Sequence, residues 1–580
     1  MKLRKILSFA MSVCMLSACF VPIAHAEELV GITYGEKDLK ADKENGVIIE
    51  TEVPDGDYTV TVTTGGKTET NANIYINGGE RVRAYTLEAG KTQENEQPVV
   101  PKDGKITVQV KGENPNVIEI KIEQLENRTE KGEKPTIYIA GDSTAQTYNY
   151  EKVYPQTGWG QVFADYFTDG VIVENRSMGG RSSKSYNNDG RLDRILTEMH
   201  PGDYVFIQFG INDGAENKPE RYISVEDYKT LIKDKYIGEV IKRGGIPVLM
   251  TASAAAWWDE ENGNFKESRQ DYADPTRELA KETGVKFIDA NRIMTDAWNT
   301  MDKDDVLSGY FVCEPLESKA YPTGTNDTTH LKEKGARRVA KLIAEAIPES
   351  VPELAAYLKA DETFTDIDGH WAETEIKALV DKGMVNGDGK GHFNPEGTVT
   401  RAEFLKMAME AAGINGHAYR EGECLDAKND DWYCYYLQGS LNKDLIPMAM
   451  LKGSNMKTTK VLAEATEDKE AVTIDLNVYQ SGKFNGDMPI TREEMAVIAM
   501  NCMSYAMKNA SKPIEFEPFP NKTESFKDAA DIYEEYMNSI DAAVSYGIVR
   551  GMGDGTFAPK GTLTRAQAAA ITNRIANLLK

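Results

Sequence analysis

Between residues 135 and 350, short apolar runs alternate with stretches whose apolar residues recur at helical spacing. Five runs have the length and the β-branched or aromatic content of buried strands: Thr136–Ala140, Val171–Asn175, Tyr204–Phe209, Ile246–Thr251 and Val285–Asp289. Strands that alternate with helices form a parallel sheet that helices cover on both faces. The pattern therefore predicts a central α/β domain whose functional loops lie beyond the carboxyl ends of the strands.

Residues 27–130 follow a different pattern, in which apolar and polar residues alternate between Gly, Asn and Asp turns. Alternation of period two with frequent turns predicts an antiparallel β-sandwich. The stretch Val53-Pro-Asp-Gly-Asp-Tyr-Thr-Val resembles the galactose-binding-like modules that often precede secreted carbohydrate enzymes. Sugar binding and a purely structural role both remain open for this domain. The charged run Glu123–Lys134 is predicted to be the linker that follows it.

From residue 361 onwards the chain repeats itself. Residues 385–402 match residues 549–566 without a gap, and a degenerate middle copy contains residues 484–494. Each copy has the pattern of a helix capping box: Thr400–Glu403, Thr491–Glu494 and Thr564–Gln567. Each unit is therefore predicted to be a Gly-rich turn leading into a capped helix, and three units together bury a core. We place these α-helical repeats at about 364–413, 425–506 (degenerate, with a long insertion) and 526–580.

An arginine occupies the first helical position of every repeat: Arg401, Arg492 and Arg565. Capping accounts for the Thr and Glu/Gln of each copy but not for this arginine. We therefore predict that it is free to bind an anion, together with the helix amino-terminus. Because all three arginines lie beyond residue 360, the central domain and the repeats are expected to be separable modules.

The amino-terminal segment has the features of a targeting signal. Residues 1–26 begin with basic residues, continue with an apolar core and end in Ala24-His25-Ala26. This order is typical of a secretory signal peptide that is cleaved after Ala26. Leu16-Ser-Ala-Cys19 also looks like a lipoprotein box, and that alternative remains open. No later segment has eighteen uncharged apolar residues, so no transmembrane helix is expected.

Composition excludes two classes of partner. The formal net charge is −25 at pH 7, which argues against nucleic acid and anionic membranes. The cysteines that follow the leader are Cys313, Cys424, Cys434 and Cys502. They have no metal-ligand spacing and are too few for a disulfide framework, so no metal or other cofactor is expected. Whether Cys424 and Cys434 pair is left open.

A candidate nucleophile, Ser143, follows the first predicted strand, and a serine nucleophile needs a base. His200 precedes the third strand, at the wrong edge of the sheet, whereas His330 lies in the loop before the last helix. Asp327 is placed to accept a hydrogen bond from Nδ1 of His330, which leaves Nε2 to face the serine. We therefore predict a Ser143–His330–Asp327 triad. The alternative for the Asp–His pair is a surface helix-capping loop.

An acyl-transfer reaction also needs donors for the oxyanion that develops in its transition state. Gly180 follows the second strand and exposes its N–H because no side chain projects from it. Asn212 follows the third strand and offers a side-chain amide. We predict that these two residues form an oxyanion hole. Alone, each has an ordinary alternative, a turn glycine or an Asx turn.

Four blocks at the strand ends resemble those of the SGNH (GDSL-type) hydrolases: Gly141-Asp-Ser-Thr, Met178-Gly-Gly-Arg-Ser-Ser, Phe209-Gly-Ile-Asn-Asp-Gly and Asn326-Asp-Thr-Thr-His. There is no Gly-x-Ser-x-Gly elbow, which argues against a lipase-type α/β-hydrolase. The resemblance covers residues 135–346. It implies a flavodoxin-like α/β/α esterase domain, with Ser143 as nucleophile, Asp327 and His330 as its partners, and Gly180 and Asn212 as oxyanion donors.

Within that superfamily, Gly158-Trp-Gly, Gly180-Arg-Ser-Ser-Lys-Ser-Tyr and the run that begins at Gly202 look most like rhamnogalacturonan acetylesterases. Ile211 departs from that family, which usually has His there, so the exact substrate preference stays open. Arg181 and Lys184 are candidates to meet galacturonate carboxylates, with a solvated face as the alternative. Trp257 and Trp258 are candidates to stack on sugar, with core packing as the alternative.

The repeats resemble S-layer homology (SLH) domains, which hold bacterial surface proteins to anionic secondary cell-wall polysaccharide. The first copy matches best and begins Phe364-Thr-Asp-Ile-Asp-Gly-His-Trp. The resemblance implies that the wall glycan is bound by Trp371, Arg401, Arg492 and Arg565. It also implies a location at the bacterial cell surface.

These features predict a secreted, wall-anchored, metal-independent carbohydrate esterase that removes O-acetyl groups from rhamnogalacturonan or another pectin. The expected partners are the acetylated plant polysaccharide and the secondary cell-wall polysaccharide. One alternative is an O-acetylesterase for xylan or for the cell's own wall glycan. Another is a non-catalytic surface protein that binds carbohydrate. The sugar, the acetyl position and the oligomeric state are not determined by the sequence.

Overall fold

The computed structural model describes residues 29–42, 46–360, 364–420, 424–451, 455–463, 471–480, 482–509 and 522–579. The predicted signal peptide, with Cys19, lies outside these residues. The chain divides into two compact units, Met1–Asn127 and Arg128–Lys580. Among the described residues, no helix is both long enough and apolar enough to cross a membrane.

The described part of the first unit consists of strands β1 (Gly31–Gly35), β2 (Ala41–Asp42), β3 (Gly46–Glu52), β4 (Tyr58–Gly65), β5 (Thr70–Ile76), β6 (Gly79–Leu87), β7 (Thr92–Val99), β8 (Lys105–Lys111) and β9 (Val117–Gln124). They form two antiparallel sheets, ordered β1-β9-β4-β7 and β2-β3-β8-β5-β6. Alternate residues of both sheets, among them Val60, Ile74 and Val108, share one apolar core. The period-two pattern thus predicted these sheets correctly.

A five-stranded parallel sheet lies at the centre of the second unit. Its strands are β10 (Thr136–Gly141), β11 (Ile172–Asn175), β12 (Tyr204–Gln208), β13 (Ile246–Met250) and β16 (Lys286–Ile288). All five were predicted, each to within one residue at either end. Their order, β11-β10-β12-β13-β16, places β10 between β11 and β12. The loops after these three strands therefore meet at one edge of the sheet.

Every residue of β10 and β12 is buried, so both faces of the sheet are covered. The helices that surround it are α1 (Tyr150–Val153), α2 (Trp159–Val162), α3 (Ser183–Asn188), α4 (Arg191–Glu198), α5 (Val225–Leu231), α6 (Glu239–Lys242), α7 (Gln270–Thr283), α8 (Ala290–Trp298), α9 (Lys303–Leu307) and α10 (Glu333–Ser350). Val339 and Ile343 of α10 pack in one cluster with Ile137, Ile139 and Phe206 of the sheet. A hairpin, β14 (Trp257–Asp259) and β15 (Asn264–Lys266), follows β13.

The repeat region contains helices α11 (Glu373–Asp381), α12 (Arg401–Ala411), α13 (Cys434–Asn442), α14 (Arg492–Asn509), α15 (Met537–Ser545) and α16 (Arg565–Leu578). The insertion of the middle repeat includes an antiparallel pair, β17 (Asn455–Ala463) and β18 (Val472–Gln480). All three predicted capping boxes are present. Cys313, Cys424, Cys434 and Cys502 are buried thiols, so Cys424 and Cys434 do not form a disulfide.

The sequence argument assumed that the recurring arginines are free to bind an anion. The structure shows instead that all three form hydrogen bonds within the repeats. Each guanidinium donates to carbonyl oxygens in the turn of the next repeat, and the third closes on the first: Arg401 to Phe484 (2.9 Å), Arg492 to Phe557 (2.8 Å) and Arg550 (2.9 Å), and Arg565 to Phe393 (2.9 Å) and Asn386 (2.9 Å). Arg401 also pairs with Glu494. The arginines therefore join the three repeats into a ring, since they satisfy carbonyls that local structure leaves open.

Candidate active site

Ser143, His330 and Asp327 form a hydrogen-bonded chain at the carboxyl edge of the parallel sheet. Nε2 of His330 lies 2.8 Å from Oγ of Ser143. Nδ1 of the same ring lies 2.5 Å from Oδ2 of Asp327, whose Oδ1 accepts from the N–H groups of Thr329 (2.8 Å) and His330 (3.0 Å). The backbone thus holds the carboxylate, and the carboxylate orients the imidazole. This is the geometry that lets a histidine take the proton of a serine nucleophile.

The turn after β10 places Ser143 at the carboxyl edge of the sheet. Oδ1 of Asp142 accepts from the N–H and the hydroxyl of Thr144, both at 2.9 Å, and fixes the turn locally. The hydroxyl of Tyr148 donates to the carbonyl of Ser143 at 2.8 Å. Both carbonyl and side chain of the serine are therefore held in place before any substrate binds.

The Gly158-Trp-Gly block packs beneath this turn. The N–H of Trp159 donates to the carbonyl of Thr144 (2.9 Å), and its indole Nε1 donates to Oε1 of Gln208 at the end of β12 (2.8 Å). A methyl group on Gly160 would stand 2.6 Å from the carbonyl oxygen of Ala145, closer than atoms approach. Glycine is required here because the backbone lies against the nucleophile turn.

The two predicted oxyanion donors lie in the loops after β11 and β12, the strands on either side of β10. Gly180 has φ = +70°, a left-handed conformation that favours glycine. Nδ2 of Asn212 donates one hydrogen to the carbonyl of Arg181 at 3.1 Å, which orients the amide and leaves its second hydrogen available. The preceding glycine, Gly179, is adjacent to the nucleophile, since a methyl group added to it would lie 3.6 Å from Cβ of Ser143.

Asp213 ties the loop of Asn212 to the loop of Gly180. Its carboxylate accepts from the N–H (2.9 Å) and hydroxyl (2.5 Å) of Ser183 and from the N–H of Gly210 (2.9 Å). Burial raises the pKa of Asp213 to about 6, although these hydrogen bonds favour the charged form. The aspartate therefore positions the oxyanion loops rather than reacting with substrate.

The surroundings of His330 raise the pKa of its imidazole overall. Burial lowers the pKa of the imidazole, but the hydrogen bond and charge of Asp327, with a smaller contribution from Asp142, raise it above 6.5 overall. Burial likewise raises the pKa of Asp327, but the hydrogen bond and charge of the His330 ring, together with the backbone N–H groups of His330 and Thr329, lower it overall. An imidazole stabilised as a cation accepts the serine proton readily in the transition state.

Two of the predicted substrate-binding residues, Lys184 and Arg181, form hydrogen bonds with other residues of the esterase domain. Nζ of Lys184 donates to the carbonyls of Pro219 (3.1 Å) and Tyr222 (3.0 Å), so the structure does not place it as a substrate contact. Nε of Arg181 pairs with Asp189 at 2.6 Å. Both side chains stabilise the loops around Gly180 and Asn212, which is neither the substrate contact nor the solvated face that the sequence suggested.

The two tryptophans differ in exposure. Trp257 is 44% exposed, and the N–H of the preceding Ala256 donates to the carbonyl of Thr328 (2.8 Å) in the loop of the triad. Trp258 packs edge-on against Phe265 with ring centroids 4.9 Å apart, and is partly buried. Trp257 therefore presents an exposed ring close to the loop that carries Asp327 and His330, whereas Trp258 packs within the hairpin.

Two further arginines border the site, and the sequence argument did not single them out. The guanidinium of Arg221 lies 3.3–3.5 Å from the position that a Cβ of Gly180 would take. Cζ of Arg269 lies 5.2 Å from the ring centroid of Trp257. Neither arginine belongs to a sequence motif that would predict its place at the site, because each reaches the site from a loop distant in sequence. Among the described residues, no group of His, Cys, Asp or Glu is arranged to hold a metal.

In the repeats, the exposed aromatic residues mark candidate glycan contacts. Trp371 is 58% exposed and Trp432, which our list of wall-binding residues omitted, is 54% exposed. Arg401 and Arg492 are buried in the ring contacts and offer little to a ligand. A groove of about 220 Å³ is lined by Trp432, Phe393, Lys406 and Arg565, so Arg565 reaches both the ring contact and the groove.

The chain matches two family models. Residues 139–338 match the GDSL-like lipase/acylhydrolase family. Residues 363–405 and 525–569 match the S-layer homology domain, which covers the first and third repeats. The GDSL-like segment, residues 139–338, contains Ser143, Gly180, Asn212, Asp327 and His330.

Curated relatives match the same central region. Over 207 residues the chain is 37% identical to the probable rhamnogalacturonan acetylesterase YesY of Bacillus subtilis (strain 168), across 36% of this chain and 89% of that protein. It is 35% identical over 209 residues to the rhamnogalacturonan acetylesterase RhgT of the same organism, across 36% of this chain and 86% of that protein. The crystal structure of protein YxiM from Bacillus subtilis is 26% identical and covers 54% of this chain and 82% of that chain, with a TM-score of 0.33.

Proposed function

This chain belongs to the GDSL-like lipase/acylhydrolase family, and we propose that it is a cell-surface serine esterase that removes O-acetyl groups from rhamnogalacturonan. The observation that carries the proposal is the Ser143–His330–Asp327 chain of hydrogen bonds beside two oriented oxyanion donors. The proposed domain division is a leader (1–26), an accessory β-sandwich (27–130), the esterase (135–350) and three SLH repeats (361–580).

In the proposed reaction, Oγ of Ser143 attacks the acetyl carbonyl while Nε2 of His330 takes its proton. Asp327 keeps Nδ1–H in place and stabilises the imidazolium. The oxyanion is stabilised by the N–H groups of Ser143 and Gly180 and the amide of Asn212. His330 then gives its proton to the departing sugar oxygen, which leaves as a hydroxyl, and water activated by the same histidine hydrolyses the acetyl-enzyme.

Three features near the nucleophile suit an acidic, acetylated polysaccharide. Trp257 offers an exposed ring for a sugar face, and the charge of Arg269 stands beside it. Arg221 borders Gly180, where a galacturonate carboxylate adjoining the acetylated sugar is able to pair with it. These arginines take the role that we first expected for Lys184.

The test is acetate release from acetylated rhamnogalacturonan, xylan and peptidoglycan. We expect kcat/KM to be at least about tenfold higher on rhamnogalacturonan, because each good charge-assisted contact contributes about 1.5–3 kcal/mol. Arg221→Met is expected to reduce this preference while leaving hydrolysis of 4-nitrophenyl acetate unchanged. The matched control is Arg243→Met, which should alter neither activity; Arg243 follows the last residue of α6 and pairs with Glu239 of that helix. Equal rates on all three glycans would contradict the assignment of substrate.

We further propose that the repeats attach the enzyme to cell-wall polysaccharide. Trp371→Ala/Trp432→Ala is expected to abolish sedimentation of the full chain with purified cell walls, since exposed aromatic rings supply most of the contact area with sugars. Esterase activity on 4-nitrophenyl acetate should stay at the wild-type level. Trp257→Ala serves as the reciprocal control and should sediment normally. Wall binding that survives the double substitution would contradict the roles given to these tryptophans.

A further inference from the structure

The loop that carries Asp327 and His330 extends well beyond the catalytic serine. We call residues 311–331 the triad loop. Its base is closed by the N–H of Phe311, which donates to the carbonyl of His330 at 2.8 Å. Farther out, Cys313 and Thr325 donate to each other's carbonyls at 3.2 and 3.0 Å. The outer turn and the catalytic pair are therefore parts of one hydrogen-bonded unit, so a displacement of one displaces the other.

The outer turn is bound by the middle repeat through Glu314. One carboxylate oxygen of Glu314 lies 2.6 Å from Nζ of Lys443 and 3.0 Å from Nε2 of His417. The N–H of Ala418 also donates to the carbonyl of Leu316 at 3.0 Å. Lys443 of the middle repeat, together with His417 and Ala418 in the segment just before that repeat, thus holds this turn of the triad loop.

A second carboxylate of the same turn is enclosed completely. Glu317 is 0% exposed, and its Oε1 accepts from the hydroxyl of Tyr435 at 2.9 Å and lies 2.6 Å from Nζ of Lys332. Tyr435 belongs to the middle repeat, and its ring packs edge-on against Tyr154 of the esterase at 4.8 Å. Lys332 is two residues from His330. The repeat therefore completes a buried ion pair next to the catalytic base.

Lys443 and Glu314 stabilise each other's charged forms in this contact. Lys443 has a side chain only 5% exposed, and a buried cation is costly unless it is paired. Burial would raise the pKa of Glu314, but the hydrogen bond from His417 and the charge of Lys443 bring it down to about 2. Glu314 is consequently ionised at neutral pH, and the pair of opposite charges joins repeat to esterase.

We propose that the middle repeat is a positioning element of the esterase, which holds the triad loop so that Asp327 stays against His330. The proposal rests on the catalytic roles proposed above for these two residues. It also accounts for the divergence of the middle repeat, because the SLH model matches the first and third repeats and the middle one has a surface committed to the esterase. Lys443, His417 and Tyr435 act through the triad loop and touch no substrate.

The test compares Lys443→Met with Glu314→Gln/Lys443→Met in the full chain, using 4-nitrophenyl acetate. The single substitution leaves the Glu314 carboxylate without its lysine partner, and we expect kcat to fall about tenfold to a hundredfold with KM unchanged, since small misplacements of catalytic groups have effects of this size. We also expect the acidic limb of the pH profile to move to lower pH, because His330 loses its alignment with Asp327. The double variant removes both charges and should recover kcat to within about threefold, with His417 donating to the amide oxygen introduced at position 314.

Lys560→Met, which removes an ion pair with Glu493 inside the repeats, is the matched control and should match wild type. A wild-type kcat and pH profile for Lys443→Met would overturn the proposal, as would a loss that the double variant does not recover. If Lys443→Met does not fold, the double variant decides: wild-type-like behaviour supports the proposal and inactivity overturns it. Failure of the proposed triad itself is distinguishable, since Ser143→Ala would then remain active.

Discussion

Ser143→Ala and His330→Ala are each expected to lower kcat on 4-nitrophenyl acetate by about ten-thousandfold or more. Nε2 of His330 lies 2.8 Å from Oγ of Ser143. One substitution therefore removes the proposed nucleophile, and the other removes the base that activates it. Residues that act as a unit in this way are strongly non-additive, and loss of a triad member leaves only the contribution of the oxyanion hole and of binding. The double variant should therefore be hardly less active than either single one.

Steady-state kinetics with acetate release measure this effect, and circular dichroism checks the fold. His200→Ala is the matched control for His330, because His200 lies beside Asp203 at the amino-terminal edge of the sheet. It should retain wild-type kcat. Residual activity of Ser143→Ala above about a hundredth of wild type would refute its role as nucleophile.

Asp327→Asn is expected to lower kcat by about ten-thousandfold, because an amide in place of the carboxylate stabilises the wrong tautomer of His330. It should also move the acidic limb of the pH profile. In the wild type Asp327 raises the pKa of His330 above 6.5, and the base works only when neutral, so activity should rise with pH through a midpoint above 6.5. Without Asp327 burial dominates, and the midpoint should fall.

This shift is measured by comparing the pH profiles of kcat/KM of the wild type and of Asp327→Asn. Asp305→Asn is the control, since Asp305 is a partly buried aspartate that pairs with Lys334 and Arg338, away from the serine. It should leave the limb where the wild type has it. An unchanged limb in Asp327→Asn, with kcat near wild type, would mean that another group orients His330.

Local pattern was enough to predict the sheets and to bring Ser143 and His330 together. The five buried runs of the central domain each became a strand of one parallel sheet, because continuous apolar runs of this length are stable only when both faces are covered. Ser143 and His330 are 187 residues apart, yet the carboxyl ends of parallel strands gather at one edge. Residue type and position in the strand pattern therefore sufficed to pair them.

Pattern was not enough for side chains whose partners lie on other elements. Lys184 was expected at the substrate and instead donates to the carbonyls of Pro219 and Tyr222, whereas Arg221 borders Gly180 without any motif. Spacing along the chain predicts which face of an element is apolar, but not which carbonyl a long cationic side chain reaches. That choice depends on how loops distant in sequence fold over one another.

The sequence by itself determined the strands, the capped helices and the order of the catalytic blocks, since these depend on local periodicity and on residue types at strand ends. Only the tertiary structure decided how the recurring arginines and the middle repeat are used. Arg401 donates to the carbonyl of Phe484, so it is not available to an anion, and Glu314 pairs with the buried side chains of His417 and Lys443. A buried charge without a partner is energetically costly, so each buried side chain of this kind must pair. The packing of the whole chain determines which partner it reaches.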